Sequence, residues 1–221
     1  SAAAKAQGFS VDLIDLRALS GWDHFREVLA ERNPDVLGVT MMSVDYNPAC
    51  RAIAIAKEVK PELITVIGGA HVTIALEDAL QIPHVDYLMI REGEVTFPDL
   101  LKSIENGDLP SDRVLRGLPP DLDAIPFPDR DLFLEEWKKW GYDLDSPEVP
   151  FVPELPAPFA TIVAGRGCLY NCAFCSIRQF YGTSPGPLRR TRSPQAVVDE
   201  MVGLYNESGV RVFLFQDDDF A

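Results

Sequence analysis

The chain lacks any long uninterrupted apolar run, and without one there is no candidate membrane-spanning helix. It also lacks the marks of a secretory leader, because Ser1-Ala-Ala-Ala-Lys-Ala-Gln-Gly8 has neither a basic stretch nor an apolar core. Cations are scarce. Twenty Lys and Arg face 34 Asp and Glu, a net charge of −14, which argues against the basic footprint that a nucleic-acid backbone requires. Cysteine is scarcer still: four in 221 residues, with one lying far from the rest, do not form a disulfide framework. A reduced, cytoplasmic setting is expected. What remains is the composition of a globular protein, 47% hydrophobic and 24% charged, in a length that suits one large or two small domains.

The other three cysteines fall within one short run, Cys168-Leu-Tyr-Asn-Cys172-Ala-Phe-Cys175. Thiolates are the usual ligands of iron–sulfur clusters, and closely spaced cysteines on a loop are how chains hold them. A four-iron cluster held by three thiolates keeps one iron open to another ligand, as a catalytic zinc site keeps an open position. Cys50 lies too far upstream to be a local fourth ligand. Zinc and free thiols are the other readings of the loop; structural zinc normally takes two Cys or His pairs, and no His or Cys follows Cys175.

From Phe9 to about Lys102, short apolar runs alternate with amphipathic stretches, the pattern of a parallel α/β sheet. Strands are expected at Val11 to Leu16, Asp35 to Met42, Leu63 to Ile67 and Tyr87 to Ile90. Helices are expected at Gly21 to Arg32, Pro48 to Val59 and Phe97 to Glu105, the last stopped by Asn106-Gly107. Ala2 to Gln7 reads as the tail of a helix that Gly8 ends. In such a sheet ligands lie beyond the carboxyl ends of the strands. The segments there are Thr40-Met41-Met42-Ser43, Gly68-Gly69-Ala70-His71 and Glu92-Gly93-Glu94, and the paired glycines permit close backbone approach to a bulky ligand.

Residues 109–158 hold more than half of the eighteen prolines, together with Trp137 and Trp140. That density opposes long regular elements and suits an ordered connector, with the two tryptophans packing it onto a domain. A strand from Phe159 to Ala164 then leads into the cysteine loop. Ser193-Pro194 opens a helix with Val197, Val198, Met201 and Leu204 on one face, and a strand from Val210 to Phe215 ends in Gln216-Asp217-Asp218-Asp219. Strand, loop, helix and strand make the first β/α unit of a barrel or sheet. The organisation is therefore 1–108, 109–158 and 159–221. A chain that opens on a helix tail and closes on a strand end is expected to be a piece of a longer protein.

With these residues in view, the second half closely resembles the radical S-adenosylmethionine superfamily. The resemblance rests on Cys168, Cys172 and Cys175 directly after a strand, Phe174 before the last of them, the Gly165-Arg166-Gly167-Cys168 entry, the Arg189 to Pro194 run and the acidic strand end. The first half resembles the cobalamin-binding domain of one branch of that superfamily, through Val39 to Met42, Val66 to His71 and Glu92 to Glu94. The fold implied is a Rossmann-like, flavodoxin-like parallel sheet, its first strand and most of its first helix preceding Ser1. The first β/α units of a partial radical S-adenosylmethionine barrel follow it.

The resemblance also implies roles. Cys168, Cys172 and Cys175 would hold a [4Fe-4S] cluster whose open iron takes S-adenosylmethionine, with reductive cleavage giving a 5′-deoxyadenosyl radical. Phe174 would lie near the adenine, and Asp217 and Asp218 near the methionine ammonium, a cation that adjacent carboxylates suit. Cobalamin would lie across the carboxyl edge of the first domain, with Thr40 to Ser43 along the corrin, its tail near Gly68 to His71, and Glu92 to Glu94 at the same edge. The Asp-x-His-x-x-Gly motif that supplies a lower cobalt ligand in many such domains does not occur; Asp23-His24 lacks the rest of it. No side chain is singled out as catalytic, because the radical chemistry belongs to the cofactors.

The function implied is a cobalamin-dependent radical enzyme, foremost a methyltransferase acting on a carbon or phosphorus centre of a small-molecule substrate, fed by a flavodoxin- or ferredoxin-type electron donor. The alternatives are an oxidative cyclase or rearrangement enzyme without methyl transfer, and a non-catalytic cobalamin-binding or redox module. A complete barrel would need on the order of 150 further residues, so this piece alone is expected to be inactive and its half-built sheet edge prone to association.

Overall fold

The structure, a computed structural model, describes residues 1–139, 159–182 and 185–220, with side chains omitted for 136–139. Four parallel strands form the first sheet in the order β1-β2-β3-β4: β1 (Val36–Thr40), β2 (Ile64–Gly68), β3 (Tyr87–Ile90) and β4 (Val114–Arg116). Both faces are covered, so β3 is buried at every position and its sequence reads as continuously apolar. Ile67, Leu88 and Ile90 pack on one face with Met41, Ile53 and Val72; Val66, Tyr87 and Met89 pack on the other with Leu100. That division follows the two-residue alternation of a strand.

The helices follow from the same accounting. The short helix α1 (Ala2–Ala6) ends before Gly8, whose φ is +91°, a left-handed stop that only glycine adopts cheaply. The next, α2 (Trp22–Arg32), buries Phe25, Val28 and Leu29. Its Phe25 and Leu29 meet Ala52, Ile55 and Ala56 of α3 (Tyr46–Val59), while Ala49 and Ile53 of α3 face the sheet. Between β2 and β3 lie α4 (Ala70–Ile74) and α5 (Leu76–Ala79), and α6 (Thr96–Asn106) stops at Gly107 with φ +77°. At the amino end of β2, Asp86 accepts from Lys57 Nζ at 2.7 Å, Thr65 N at 2.7 Å and Thr65 Oγ1 at 2.9 Å. Burial opposes this carboxylate, but those donors outweigh it and hold its pKa below the ordinary value.

Two expectations need correction. Residues 11–16 are not a strand: the stretch is irregular and passes into a 3₁₀ turn at Leu16–Ala18. Among the described residues no strand pairs with it. The carbonyl of Leu13 accepts instead from Arg32 Nη1 at 2.6 Å, while Ile14 and Leu16 pack against the α2–α3 cluster. The sheet also continues beyond residue 108, because β4 lies inside the proline-rich stretch and pairs with β3 from Leu88↔Val114 to Ile90↔Arg116. That stretch carries α7 (Arg130–Lys139) as well. The packing expected of Trp137 and Trp140 lies outside the described side chains.

In the second half, β5 (Phe159–Ile162) ends two residues earlier than its apolar pattern, and β6 (Gly165–Arg166) turns away to pair antiparallel with β7 (Arg190–Thr191). Between them lie the cysteine loop and α8 (Ile177–Tyr181). Then α9 (Pro194–Glu207), capped by the Ser193 hydroxyl on Ala196 N at 3.2 Å, leads to β8 (Val212–Phe215), which pairs parallel with β5. A parallel pair joined through a helix is the β/α unit expected from the sequence. No helix among the described residues is long and apolar enough to cross a membrane.

Candidate functional site

A cavity of about 870 Å³ opens over the carboxyl ends of β1 to β3. Gly38, Gly68 and Gly69 lie along its floor together with Val66 and Met89. Gly69 has φ +102°, and a Cβ there would stand 2.8 Å from the Met41 carbonyl oxygen, so close approach of the two loops requires glycine. One wall is Arg91 to Glu94 with Phe97; the opposite wall comes from the second half, with Thr161, Val163, Arg166, Phe180 and Tyr181. A large, partly apolar cleft between two units is the usual setting of a cofactor site.

The structure divides the residues expected along this edge. Thr40, Gly68, Gly69, Glu92, Gly93 and Glu94 line the cavity, whereas Met41, Met42, Ser43, Ala70 and His71 do not. Met41 is wholly buried in the core cluster, because one step along the strand turns its side chain to the face opposite Thr40. His71 is buried too. Its Nδ1 stands 3.0 Å from Ser43 Oγ, its Nε2 lies 3.1 Å from Asp78 Oδ2, and Tyr46 packs edge-on against its ring. His71 and Ser43 thus tie α4 to the turn after β1.

The cysteine loop follows β6. All three thiols are free; Cys168 and Cys175 are half-buried and Cys172 is exposed. Among the described residues no three Cys, His, Asp or Glu side chains converge as a formed metal site. Metal ligation supplies the energy that gathers such loops, so three thiols on one short loop still fit a cluster as a donor set. Phe174 is 93% exposed.

Asp217 and Asp218 have partners other than the expected ammonium. Asp217 accepts from the N–H groups of Ala164, at 3.2 Å, and of Gly165; Asp218 accepts from Gly167 N at 2.8 Å. Asp219 Oδ2 is 3.8 Å from the Cys168 thiol, and its carbonyl accepts from Arg189 Nε at 3.2 Å. The acidic strand end therefore braces the backbone that enters the loop. Gly167, with φ +83°, fits because a Cβ would stand 1.9 Å from the Leu188 carbonyl oxygen.

A set of ion pairs that the sequence did not single out lies where the halves meet. Arg166 Nη1 stands 2.7 Å from Glu92 Oε1 and 2.7 Å from Glu94 Oε1, and Arg190 Nη2 pairs with Glu92 Oε2. Burial works against the Arg166 charge, but Glu94 and Glu92 outweigh it and raise its pKa. Beside them, burial first and then the Asp218 charge push the Tyr181 hydroxyl up to about 12, and Tyr181 lines the cavity. A second buried carboxylate, Glu200, pairs with Arg130 at 2.7 Å and with Arg192, tying α9 to α7. The Glu92-Gly93-Glu94, Gly165-Arg166-Gly167 and Arg189 to Arg192 runs signalled parts of this region in the sequence, but not their pairing.

The family model described as B12 binding domain matches residues 1–101. Anaerobic magnesium-protoporphyrin IX monomethyl ester cyclase of Rubrivivax gelatinosus is 31% identical over 238 residues, covering 97% of this chain and 39% of that protein. Cytidylyl-2-hydroxyethylphosphonate methyltransferase of Streptomyces wedmorensis is 27% identical over 240 residues, covering 90% of this chain and 42% of that protein. The radical S-adenosylmethionine methyltransferase TsrM from Kitasatospora setae, solved with cobalamin and a [4Fe-4S] cluster bound, shares the fold over 99% of this chain and 44% of its own, with a TM-score of 0.62 and 20% identity. The chain spans about two fifths of the length of these proteins.

Proposed function

We propose, from the match of residues 1–101 to the B12-binding domain family, that the chain is part of a cobalamin-dependent radical S-adenosylmethionine enzyme, foremost a methyltransferase. The observation that carries the reading is the junction. The glycine floor of the first half is walled by residues of the segments that flank the cysteine loop, Arg166 before it and Phe180 and Tyr181 after it, so the two candidate cofactor sites adjoin.

The fit rests on the residues themselves. Gly38, Gly68 and Gly69 keep side chains short along the base of the cleft where a flat macrocycle would lie, with Thr40 and Gly93 beside them. Cys168, Cys172 and Cys175 are the thiol set for a [4Fe-4S] cluster, with no fourth thiol close by in sequence. When bound, the cluster supplies the electron that cleaves S-adenosylmethionine and cobalamin supplies a methyl carrier. The chain holds the loop entry through Asp217 and Asp218, keeps the Tyr181 proton in place, and shields the cleft from water with Phe97 and Phe180. A small-molecule substrate, a flavodoxin- or ferredoxin-type electron donor and a reducing cytoplasmic compartment complete the proposal, the last in keeping with the free cysteines.

The similarity to a cyclase favours a second reading, oxidative ring closure without methyl transfer. Products separate the two. The full-length protein that carries this chain, reconstituted anaerobically and given substrate, S-adenosylmethionine and a strong reductant, should form S-adenosylhomocysteine together with a methylated product if it transfers methyl. Deoxyadenosine without methylation supports ring closure. Neither product above the level of a Cys172→Ala variant refutes both.

A further inference from the structure

Arg166 and Arg190 stand opposite each other in the β6–β7 pair, and both guanidiniums end on the one carboxylate of Glu92. These contacts bridge 74 and 98 residues of chain and join the two halves. Glu92 is 5% exposed. Its loop is wedged in place, since a Cβ on Gly117 would stand 1.9 Å from the Glu92 carbonyl oxygen while Gly117 N is bonded to Ile90 O at 2.9 Å. Arg190 Nη1 also donates to Pro120 O at 2.9 Å. Each charge is costly to bury unless the partner from the other half is present. Such a pairing specifies one docking geometry more than it adds stability, and Arg166 lies two residues before Cys168.

We propose that Glu92 is a positioning residue: by holding Arg166 and Arg190 it fixes the cysteine loop against the glycine floor and couples ligand binding in the cleft to metal assembly on the loop. Coupling of this kind is reciprocal, each site changing the other's affinity by the same factor. The inference rests on the two-cofactor reading above and deepens it.

The test uses hydroxocobalamin as the cleft probe and iron with sulfide as the loop probe. In the unaltered chain, loading the loop should tighten hydroxocobalamin binding about fivefold, within the usual range of linkage between sites. In Glu92→Gln the linkage should fall below about twofold, and Glu92→Asp, which keeps the charge, should recover part of it. Before any loading, amide exchange at Gly165 and Gly167 should run at least about tenfold faster in Glu92→Gln. Unchanged linkage and exchange in Glu92→Gln would overturn the proposal. If that variant does not fold, Arg190→Gln, which leaves the Glu92–Arg166 pair, decides by the same criteria. Two sites that fill in the unaltered chain with no linkage sink this inference alone; a chain that takes up neither probe sinks the two-cofactor reading and this inference with it.

Discussion

Adding one methyl group at each floor glycine should separate the conformational demand of the cleft from its demand for space. At Gly69 the φ of +102° is strained for any L side chain, and the new Cβ would meet the Met41 carbonyl oxygen at 2.8 Å and its nitrogen at 2.9 Å. The strain costs about 1–3 kcal/mol. The same insertion disturbs the hydrogen bonds Met41 N→Gly68 O (2.9 Å) and His71 N→Met41 O (3.1 Å), each contributing about 1 kcal/mol. Gly69→Ala should therefore lose roughly 3–5 kcal/mol, which for a chain of this length lowers the melting temperature by on the order of 10 °C. Gly38 differs: its φ is not positive and its Cβ would lie 3.6 Å from Phe97 Cζ, an ordinary contact. Gly38→Ala should hold stability within about 1 kcal/mol and weaken hydroxocobalamin binding about tenfold by raising the floor. Thermal unfolding followed by circular dichroism and an absorption titration with hydroxocobalamin read the two effects. A Gly69→Ala variant that melts within about 2 °C of the unaltered chain, or a Gly38→Ala variant with full affinity, would refute the reasoning.

Other outcomes follow from three carboxylates with backbone or cationic partners. Asp217→Ala strips the acceptor from Ala164 N and Gly165 N; iron bound per chain after reconstitution should fall by about half or more, and Asp217→Asn, which keeps an acceptor, should recover part of it. Glu200→Gln leaves Arg130 and Arg192 without their buried counter-charge and should cost about 3–5 kcal/mol in urea unfolding; a loss below about 1 kcal/mol contradicts the pairing. The depressed pKa of Asp86 means that its contribution is present above its unfolded value near 3.8 and is lost as pH falls through the lower folded value. The stability gap between the unaltered chain and Asp86→Asn should therefore be constant from pH 7 to about 5 and shrink below about 4, measured by denaturant unfolding across that range.

Sequence reading was most effective where a local pattern has one solution. Tyr87 to Ile90 is apolar at every position because both faces are covered, and Gly107 ends α6 because the left-handed stop needs glycine. It failed where the decisive partner lies far along the chain. Val11 to Leu16 has the pattern of a strand, but strandedness depends on a neighbour, and Arg32 takes the Leu13 carbonyl. The three residues of β4 carry too little periodicity to be read through the surrounding prolines. At the site, the need for glycine at position 69 was legible because backbone conformation is local. Met41 was misplaced because a segment was read as one surface, although alternate side chains face opposite ways. The links of Glu92 to Arg166 and Arg190 span 74 and 98 residues, and no local pattern encodes them. Asp217 and Asp218 were read as contacts for a ligand cation, whereas backbone N–H groups of the loop entry take them.

The central claim is that the loop of Cys168, Cys172 and Cys175 holds a four-iron cluster beside a cobalamin cleft. Anaerobic reconstitution with iron and sulfide, followed by electron spin resonance of the reduced protein with and without S-adenosylmethionine, tests it most directly. The account predicts a reduced-cluster signal that changes when S-adenosylmethionine is added and disappears in Cys168→Ala. A signal that survives in Cys168→Ala, or one that is indifferent to S-adenosylmethionine, would contradict it.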